Sequence, residues 1–212
     1  MKTARKEGQA ETRTSLLQSA ARLFCKRGME GTSVGEISAD AGYTKGAFYA
    51  NFKSKEELFL AMLDDRFSQR IEEAERAFAD SEGSPPQQAR TAATDFARAK
   101  SDDPELVRLF AEFSTYALRD EAFREELLTR FATLRARLQE IFQRRADASG
   151  LTLDIPIERV VLMTIAMADG WALWRLLDPD AVDEELLAEM MELFTIGVGV
   201  RGGVLEQPHQ PA

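Results

Sequence analysis

A short segment, residues 43–58, combines residue types that could bind nucleic acid. It reads YTKGAFYANFKSKEEL, so lysine, asparagine and tyrosine stand in a short helix with little apolar surface to bury. Phe48 is the expected inward anchor, and Tyr49 follows about 100° around the helix, toward solvent. Lysine can donate to guanine, asparagine can pair with adenine, and a tyrosine hydroxyl can reach a phosphate. The alternative interpretation is a small three-helix subdomain with a solvated face.

Helical periodicity runs through nearly the whole chain and predicts the elements that position this segment. Ser33 and Glu36 fit a capping box, and Thr44 is a good N-cap for the segment itself. The segment 80–88, DSEGSPPQQ, has the composition of a linker. The prediction is an all-α protein with helices at 12–27, 33–41, 44–51, 54–78, 87–100, 104–118, 121–148, 156–177 and 183–200.

The first three helices have the lengths of a helix-turn-helix unit, in which the second helix of the pair enters the major groove of DNA. We therefore predict a helix-turn-helix DNA-binding domain at 1–55 and a helical ligand-binding and dimerisation domain at 56–203. A disordered tail is predicted at 204–212.

Charge is distributed unevenly along the chain. Residues 1–55 hold ten lysines and arginines against five acids, which gives this segment a net charge of +5. Because the whole chain has a net charge of −9, the remaining residues have a net charge of −14. A basic end can be aimed at a polyanion. The same asymmetry also suits an all-α interaction module that docks an acidic partner, which is the alternative function.

The sequence lacks the residues that several classes of function require. Cys25 is the single cysteine and His209 the single histidine, which excludes internal disulfides, soft-ligand metal sites and histidine-based catalytic triads. We therefore expect no enzymatic activity, cofactor or metal. No uninterrupted apolar run reaches about 18 residues, so the prediction is a cytoplasmic protein that does not enter a membrane.

The stretch 31–59, GTSVGEISADAGYTKGAFYANFKSKEELF, closely resembles the N-terminal signature of the TetR family of transcriptional regulators. Seven of its residues stand at family spacing, namely Gly42, Thr44, Gly46, Tyr49, Phe52, Lys53 and Lys55. The resemblance implies a homodimer that binds a double-stranded DNA operator, usually a repressor released by a small molecule.

The same resemblance implies which residues contact DNA. Thr32, Thr44, Tyr49 and Lys55 correspond to phosphate contacts, whereas Lys45, Gly46, Ala47, Ala50 and Asn51 stand where base-facing residues occur. Ser33 and Tyr43 complete the candidate DNA-binding set. Tyr43 and Asn51 depart from the residue types frequent at their positions, which changes the operator that is read.

Helix 156–177 is apolar nearly all round, which predicts burial nearly all round. One face carries Val160, Met163, Met167, Trp171 and Trp174, and a second carries Val161, Ile165, Ala168, Ala172 and Leu176. One face can pack on its own domain and the other on a partner chain. The resemblance implies a dimer interface made by the last two helices, and the alternative is a single-chain core.

A pocket for an apolar or aromatic small molecule would come from aromatic and methionine side chains of the middle helices. The candidates are Phe110, Phe113, Tyr116, Met163, Met167 and Trp171. The alternative for each of them is core packing. Asp169, a carboxylate inside an apolar helix, is costly to bury unless it binds a ligand or pairs with an arginine.

Overall fold

The computed structural model describes residues 2–79 and 83–201 of the chain. All regular structure in these residues is helical, which confirms the predicted all-α class. The helices are α1 (Lys2–Arg27), α2 (Val34–Asp40), α3 (Lys45–Tyr49), α4 (Lys55–Ala79), α5 (Pro85–Asp102), α6 (Pro104–Ala117), α7 (Glu121–Ala148), α8 (Ile157–Leu177) and α9 (Glu184–Arg201).

Two helices start earlier than the sequence predicted. Helix α1 begins at Lys2 rather than at residue 12, because most residues between them are strong helix formers. Helix α5 begins at Pro85, inside the segment predicted as a linker, since proline is tolerated in a first turn. The Ser84 N–H donates to Gln87 Oε1 at 2.9 Å and fixes that start. Residues 80–82 and the predicted disordered tail at 204–212 lie outside the described residues.

The described residues divide into two compact units. The first, which we call the head, falls within Met1–Phe67 and Glu105–Arg130. It therefore contains α1–α3, the beginning of α4, α6 and the beginning of α7. The compact head does not coincide with the predicted boundary at residue 55, because α6 packs with the N-terminal helices. Glu112 of α6 accepts the Met29 N–H at 2.6 Å, just after the left-handed Gly28 that ends α1.

A buried aromatic cluster forms the core of the head. Phe59 of α4 contacts Phe24 of α1, Phe113 of α6 and Phe123 of α7. These rings come from four helices and therefore hold α1, α4, α6 and α7 together in the part of the head that supports the short helices α2 and α3.

Caps and a glycine turn define the helix-turn-helix. The Ser33 hydroxyl accepts from the Glu36 N–H at 3.2 Å, and Glu36 Oε2 accepts from the Ser33 N–H at 2.9 Å, which confirms the predicted capping box. Helix α2 ends before Gly42, whose φ of 78° lies in the left-handed region that favours glycine. Tyr43 N–H then donates to Ser38 O at 2.8 Å and closes the turn.

The second unit, which we call the body, falls within Ser68–Pro104 and Phe131–Ala212. Helix α5 packs along α9, and Arg90 of α5 pairs with both Glu185 and Glu192 of α9, the latter at 2.6 Å. The buried core of the body consists largely of aliphatic side chains, including Leu134, Leu138, Ile141, Val161, Ile165, Leu187 and Met191.

Candidate nucleic-acid interface and ligand cavity

Helix α3 is anchored by one ring and exposes its opposite face. Phe48 is fully buried, and its ring lies 5.5 Å from that of Tyr49 and 5.8 Å from that of Phe52, centroid to centroid. Tyr49 keeps 58% of its surface exposed. The prediction that Phe48 points inward and Tyr49 outward is confirmed.

Most of the predicted DNA contacts share this exposed surface. Thr44 caps α3, because its hydroxyl accepts from the Ala47 N–H at 3.2 Å. The turn before the helix and the helix itself thus hold a set of accessible groups in a fixed geometry. The exposed members are Tyr43, Thr44, Lys45, Gly46, Tyr49 and Ala50, while Ala47 and Asn51 are half-buried.

Two residues predicted to contact phosphates instead hold the loop between α1 and α2. Thr32 is 2% exposed, and its hydroxyl donates to Gly28 O at 2.8 Å. The Thr32 hydroxyl is therefore buried and hydrogen-bonded within the protein, and the phosphate contact through Thr32 stays a prediction. Lys55 Nζ donates to Met29 O at 2.7 Å and to Thr32 O at 3.2 Å, which leaves one of its three N–H groups for another acceptor.

Ser33 and Asn51 also have internal partners. The Ser33 hydroxyl donates to Glu36 Oε2 at 2.8 Å as part of the capping box. Asn51 Nδ2 donates to Ala47 O at 2.8 Å, so its amide is turned back onto α3. Two-point pairing of Asn51 with adenine would require a different rotamer.

Gly35 is a residue of this surface that the sequence reasoning missed. A Cβ built on Gly35 would lie 2.8 Å from Lys45 Cε and 3.3 Å from Lys45 Nζ. The lysine of α3 therefore crosses α2 at a point that is open because position 35 has no side chain. The signal in the sequence was a glycine inside a short helix, which is unfavourable by about 0.5–1 kcal/mol relative to alanine.

Lys53 was likewise absent from the predicted site. It is exposed and lines, together with Tyr49, a shallow depression of about 420 Å³. Glu30, Glu36 and Glu56 also line this depression, so its charge is mixed. The two lysines that line it are Lys53 and Lys55.

Ionised carboxylates tie α2 in place. Asp40 Oδ2 accepts from the Ser19 hydroxyl and from Arg22 Nη2, both of α1, each at 2.7 Å. These hydrogen bonds, that from Ser19 first, lower the pKa of Asp40. The pKa of Glu36 is also lowered, chiefly because the Ser33 N–H donates to it. Helix α2 is therefore oriented by groups that are charged at neutral pH.

The body contains a cavity of about 560 Å³, within the range of roughly 300–1,000 Å³ typical of small-molecule sites. Its walls come from α4, α5, α7, α8 and α9. Helix α8 contributes a single stripe, made of Ile157, Val160, Val161, Thr164, Ile165 and Ala168.

None of the six residues predicted for the ligand site lines this cavity. Phe110, Phe113 and Tyr116 belong to the head, where Phe113 is part of the aromatic cluster. Burial, the Glu56 and Asp120 carboxylates and a hydrogen bond to Asp120 raise the pKa of Tyr116 to about 12.

The other three predicted ligand contacts are on α8, and they do not line this cavity. Met163 is 38% exposed and Met167 is half-buried. Trp171 is buried, and its Nε1–H donates to Asp183 O at 2.8 Å. The α8 residues that line the cavity come mostly from the other predicted face, because helical spacing defines the faces but not which of them turns toward a cavity.

Asp169 is in an ion pair. Arg70 Nη1 of α4 lies 3.1 Å from Asp169 Oδ1, while Arg175, the partner considered from the sequence, donates to Pro179 O and Val182 O. Arg70 itself lines the cavity. Among the side chains that the structure describes, no group of three His, Cys, Asp or Glu residues is placed to hold a metal ion.

The remaining face of α8 and part of α9 expose large apolar side chains. They are Leu162, Met163, Leu173, Trp174, Leu177, Leu186 and Leu193. By length and composition alone, α8 could cross a membrane. Asp169 and Arg175 lie within this helix, so it contains no uninterrupted apolar run of about 18 residues. An interface helix passes the same test, so the test is weak support for a membrane.

Curated relatives match this chain either over a short stretch or over most of its length. The chain is 48% identical over 54 residues to the HTH-type transcriptional regulator AcrR of Shigella flexneri, covering 26% of this chain and 25% of that protein. It thus matches about a quarter of the length of AcrR. It is 26% identical over 174 residues to the HTH-type transcriptional repressor AcnR of Corynebacterium efficiens, covering 81% of this chain and 85% of that protein.

A solved structure supports the fold over nearly the whole chain. The SmeT–triclosan complex superposes with a TM-score of 0.68 at 24% identity, covering 95% of this chain and 97% of that one. Two family models match, that of the bacterial regulatory proteins of the tetR family at residues 16–62 and that of the BetI-type transcriptional repressor C-terminal domain at residues 85–195. The second alone spans just over half of the sequence and follows the first without overlap, so the chain belongs to the tetR family of bacterial regulatory proteins.

Proposed function

We propose that this chain is a homodimeric transcriptional repressor that binds operator DNA through the surface around α3 and is released by a small molecule. The observation that carries the proposal is the exposed face of α3, with Lys45 and Tyr49 outside and Phe48 buried behind them, in a member of the tetR family. A short helix held in this way suits insertion into the major groove.

Within this surface we assign different roles to neighbouring residues. Lys45 reads a base edge, because its side chain leaves α3 at the exposed N-terminal turn. The Tyr49 hydroxyl and Lys53 contact the phosphate backbone, which positions the protein without reading sequence. Thr32 and Lys55 act indirectly, since they hold the loop from which α2 starts.

A second copy of the chain covers the exposed apolar face of α8 and α9 in this proposal. Trp174, Leu177 and Leu193 are each at least 60% exposed, and such a patch on one protein marks an interaction site. A two-fold dimer presents two α3 helices, so the operator should be palindromic, with half-sites one or more helical turns apart, roughly 34–36 Å per turn.

The cavity in the body is the proposed effector site. SmeT, which shares the fold, is complexed with triclosan, and the related AcnR is a repressor. A ligand can release DNA only to the extent that it binds the released arrangement more tightly than the DNA-bound one. A regulator of this kind acts in the cytoplasm and needs neither a catalytic site nor a cofactor.

Selection of DNA from a random pool with the purified protein tests the proposal. We expect a palindromic consensus and a footprint that covers two half-sites. Lys45→Ala should relax the preference at particular base pairs at a cost of about 1–3 kcal/mol if the contact is bidentate. Tyr49→Phe should weaken binding to all sequences equally.

Lys26→Ala is the matched control for the lysine change, because Lys26 is exposed in the last turn of α1 and lies outside the proposed interface. Its consensus and affinity should equal those of the wild type. Binding without any base preference, or a footprint over one unpaired half-site, would refute the proposal in favour of a nonspecific polyanion-binding module.

A further inference from the structure

The cavity of the body is apolar over most of its wall but is not uniformly so. Aliphatic and aromatic side chains such as Leu138, Phe142, Ile165 and Met191 line it. Charged side chains also reach the lining, and they differ in whether the protein already neutralises them. They are Arg70, Glu73, Arg76, Asp95 and Arg145.

Arg70 is already engaged by the protein. It pairs with Asp169 at 3.1 Å, and its guanidinium lies over the Phe96 ring, 5.4 Å from the centroid. Arg76 and Asp95 are exposed, so water solvates them. None of these three residues needs a ligand to satisfy its charge. Glu73 is half-buried and negatively charged, so it cannot hold an anionic ligand.

Arg145 differs from them. Its Nε is buried and has no hydrogen-bond partner among the residues that the structure describes. It lies in the last turn of α7, on the stripe that also carries Leu138, Phe142 and Ala146 toward the cavity. Arg145 as a whole is half-buried. An arginine whose Nε is held out of water without a partner is costly unless an anion pairs with it, and a planar guanidinium fits a carboxylate or sulfonate in two-point geometry.

We propose that the cavity binds an organic anion, with an apolar body against the aliphatic wall and its single acid group on Arg145. The proposal rests on the proposed function only in taking this cavity as the effector site. It narrows the effector from any apolar molecule to an amphipathic acid.

Two fluorescent dyes with the same apolar body test this directly. 1-Anilinonaphthalene-8-sulfonate carries an acid group, and N-phenyl-1-naphthylamine lacks it. For Arg145→Gln we expect the Kd of the sulfonate to rise roughly 10- to 100-fold, the usual effect of losing a charged hydrogen-bond partner, with the Kd of the neutral dye unchanged. Arg145→Lys should restore part of the affinity for the sulfonate, because lysine keeps the positive charge but lacks the two-point geometry of the guanidinium.

Arg144→Gln is the matched control. Arg144 is the adjacent residue, its side chain is 69% exposed, and it lies 3.7 Å from Glu75 at the protein surface. Both dyes should bind this variant as they bind the wild type. Equal weakening of both dyes by Arg145→Gln would make Arg145 a structural residue, and an unchanged sulfonate Kd would place that dye elsewhere, such as on the exposed face of α8. Either result overturns the inference.

A measurement on the unmodified protein guards against a variant that fails to fold. Dodecanoate and dodecanol are titrated against bound N-phenyl-1-naphthylamine. The uncharged alcohol is the more apolar competitor, so a purely apolar cavity favours it. We expect the acid to displace the dye at about tenfold lower concentration, and a preference for the alcohol would refute the inference. Neither titration contains DNA, so failure of operator binding would leave this result standing, and the reverse also holds.

Discussion

Trp171 gives the sharpest test of how α8 is used, because the two faces of this helix predict opposite phenotypes. The side chain is 3% exposed and does not line the cavity. Its Nε1–H donates to Asp183 O, next to the first residue of α9, and Asp183 Oδ1 in turn accepts from the Leu186 N–H at 2.9 Å. Trp171 therefore joins the core of α8 to the start of α9.

Two substitutions separate the ring from the hydrogen bond. Trp171→Ala removes a fully buried aromatic side chain and should lower the free energy of unfolding by about 3–5 kcal/mol. Trp171→Phe keeps most of the ring and loses the N–H. Because Asp183 is exposed, water can replace the lost donor, and the cost should be only about 0.5–1.5 kcal/mol.

The assay is urea unfolding followed by far-ultraviolet circular dichroism, with all variants at one protein concentration because the proposed dimerisation would add to apparent stability. The affinity for N-phenyl-1-naphthylamine is measured in parallel and should be unchanged for Trp171→Phe. A Trp171→Ala variant within about 1 kcal/mol of the wild type would contradict the cavity-cost argument. A weakened dye affinity with unchanged stability would return Trp171 to the ligand site.

Three further outcomes are expected from other parts of the molecule. Gly35→Ala places a Cβ 2.8 Å from Lys45 Cε and should shift the base preference at the position that Lys45 is proposed to read. Repeated selection would detect the shift, and an identical consensus would contradict it. Trp174→Arg puts a charge on the exposed face of α8 and should give folded monomers in analytical ultracentrifugation, whereas intact dimers would count against that interface. The pKa of Asp40 should lie below its ordinary value of 3.8 in an NMR titration and rise in Ser19→Ala. Because this pKa is depressed on folding, its stabilising contribution is present above pH 3.8 and is lost as the pH falls through the folded value.

The local organisation of the chain could be predicted from the sequence because it depends on neighbours within one or two turns. Ser33 and Glu36 form their capping box, Gly42 takes the left-handed conformation, and Phe48 and Tyr49 point in opposite directions, all as their spacing indicates. The helices after residue 30 lie close to their predicted positions for the same reason. Resemblance in this stretch was also enough to identify the family.

Long-range contacts decided the rest. Arg70 pairs with Asp169, 99 residues away, and Lys55 donates to loop carbonyls 23 and 26 residues earlier. Local spacing in the sequence could not predict either pairing. The two apolar faces of α8 are equally good by periodicity, and only packing against α4, α5, α7 and α9 selects the face that lines the cavity. Arg145 could not be distinguished from the other arginines of α7 by sequence. Its surroundings depend on side chains from other helices, and burial without a partner is a property of the assembled body rather than of the residue.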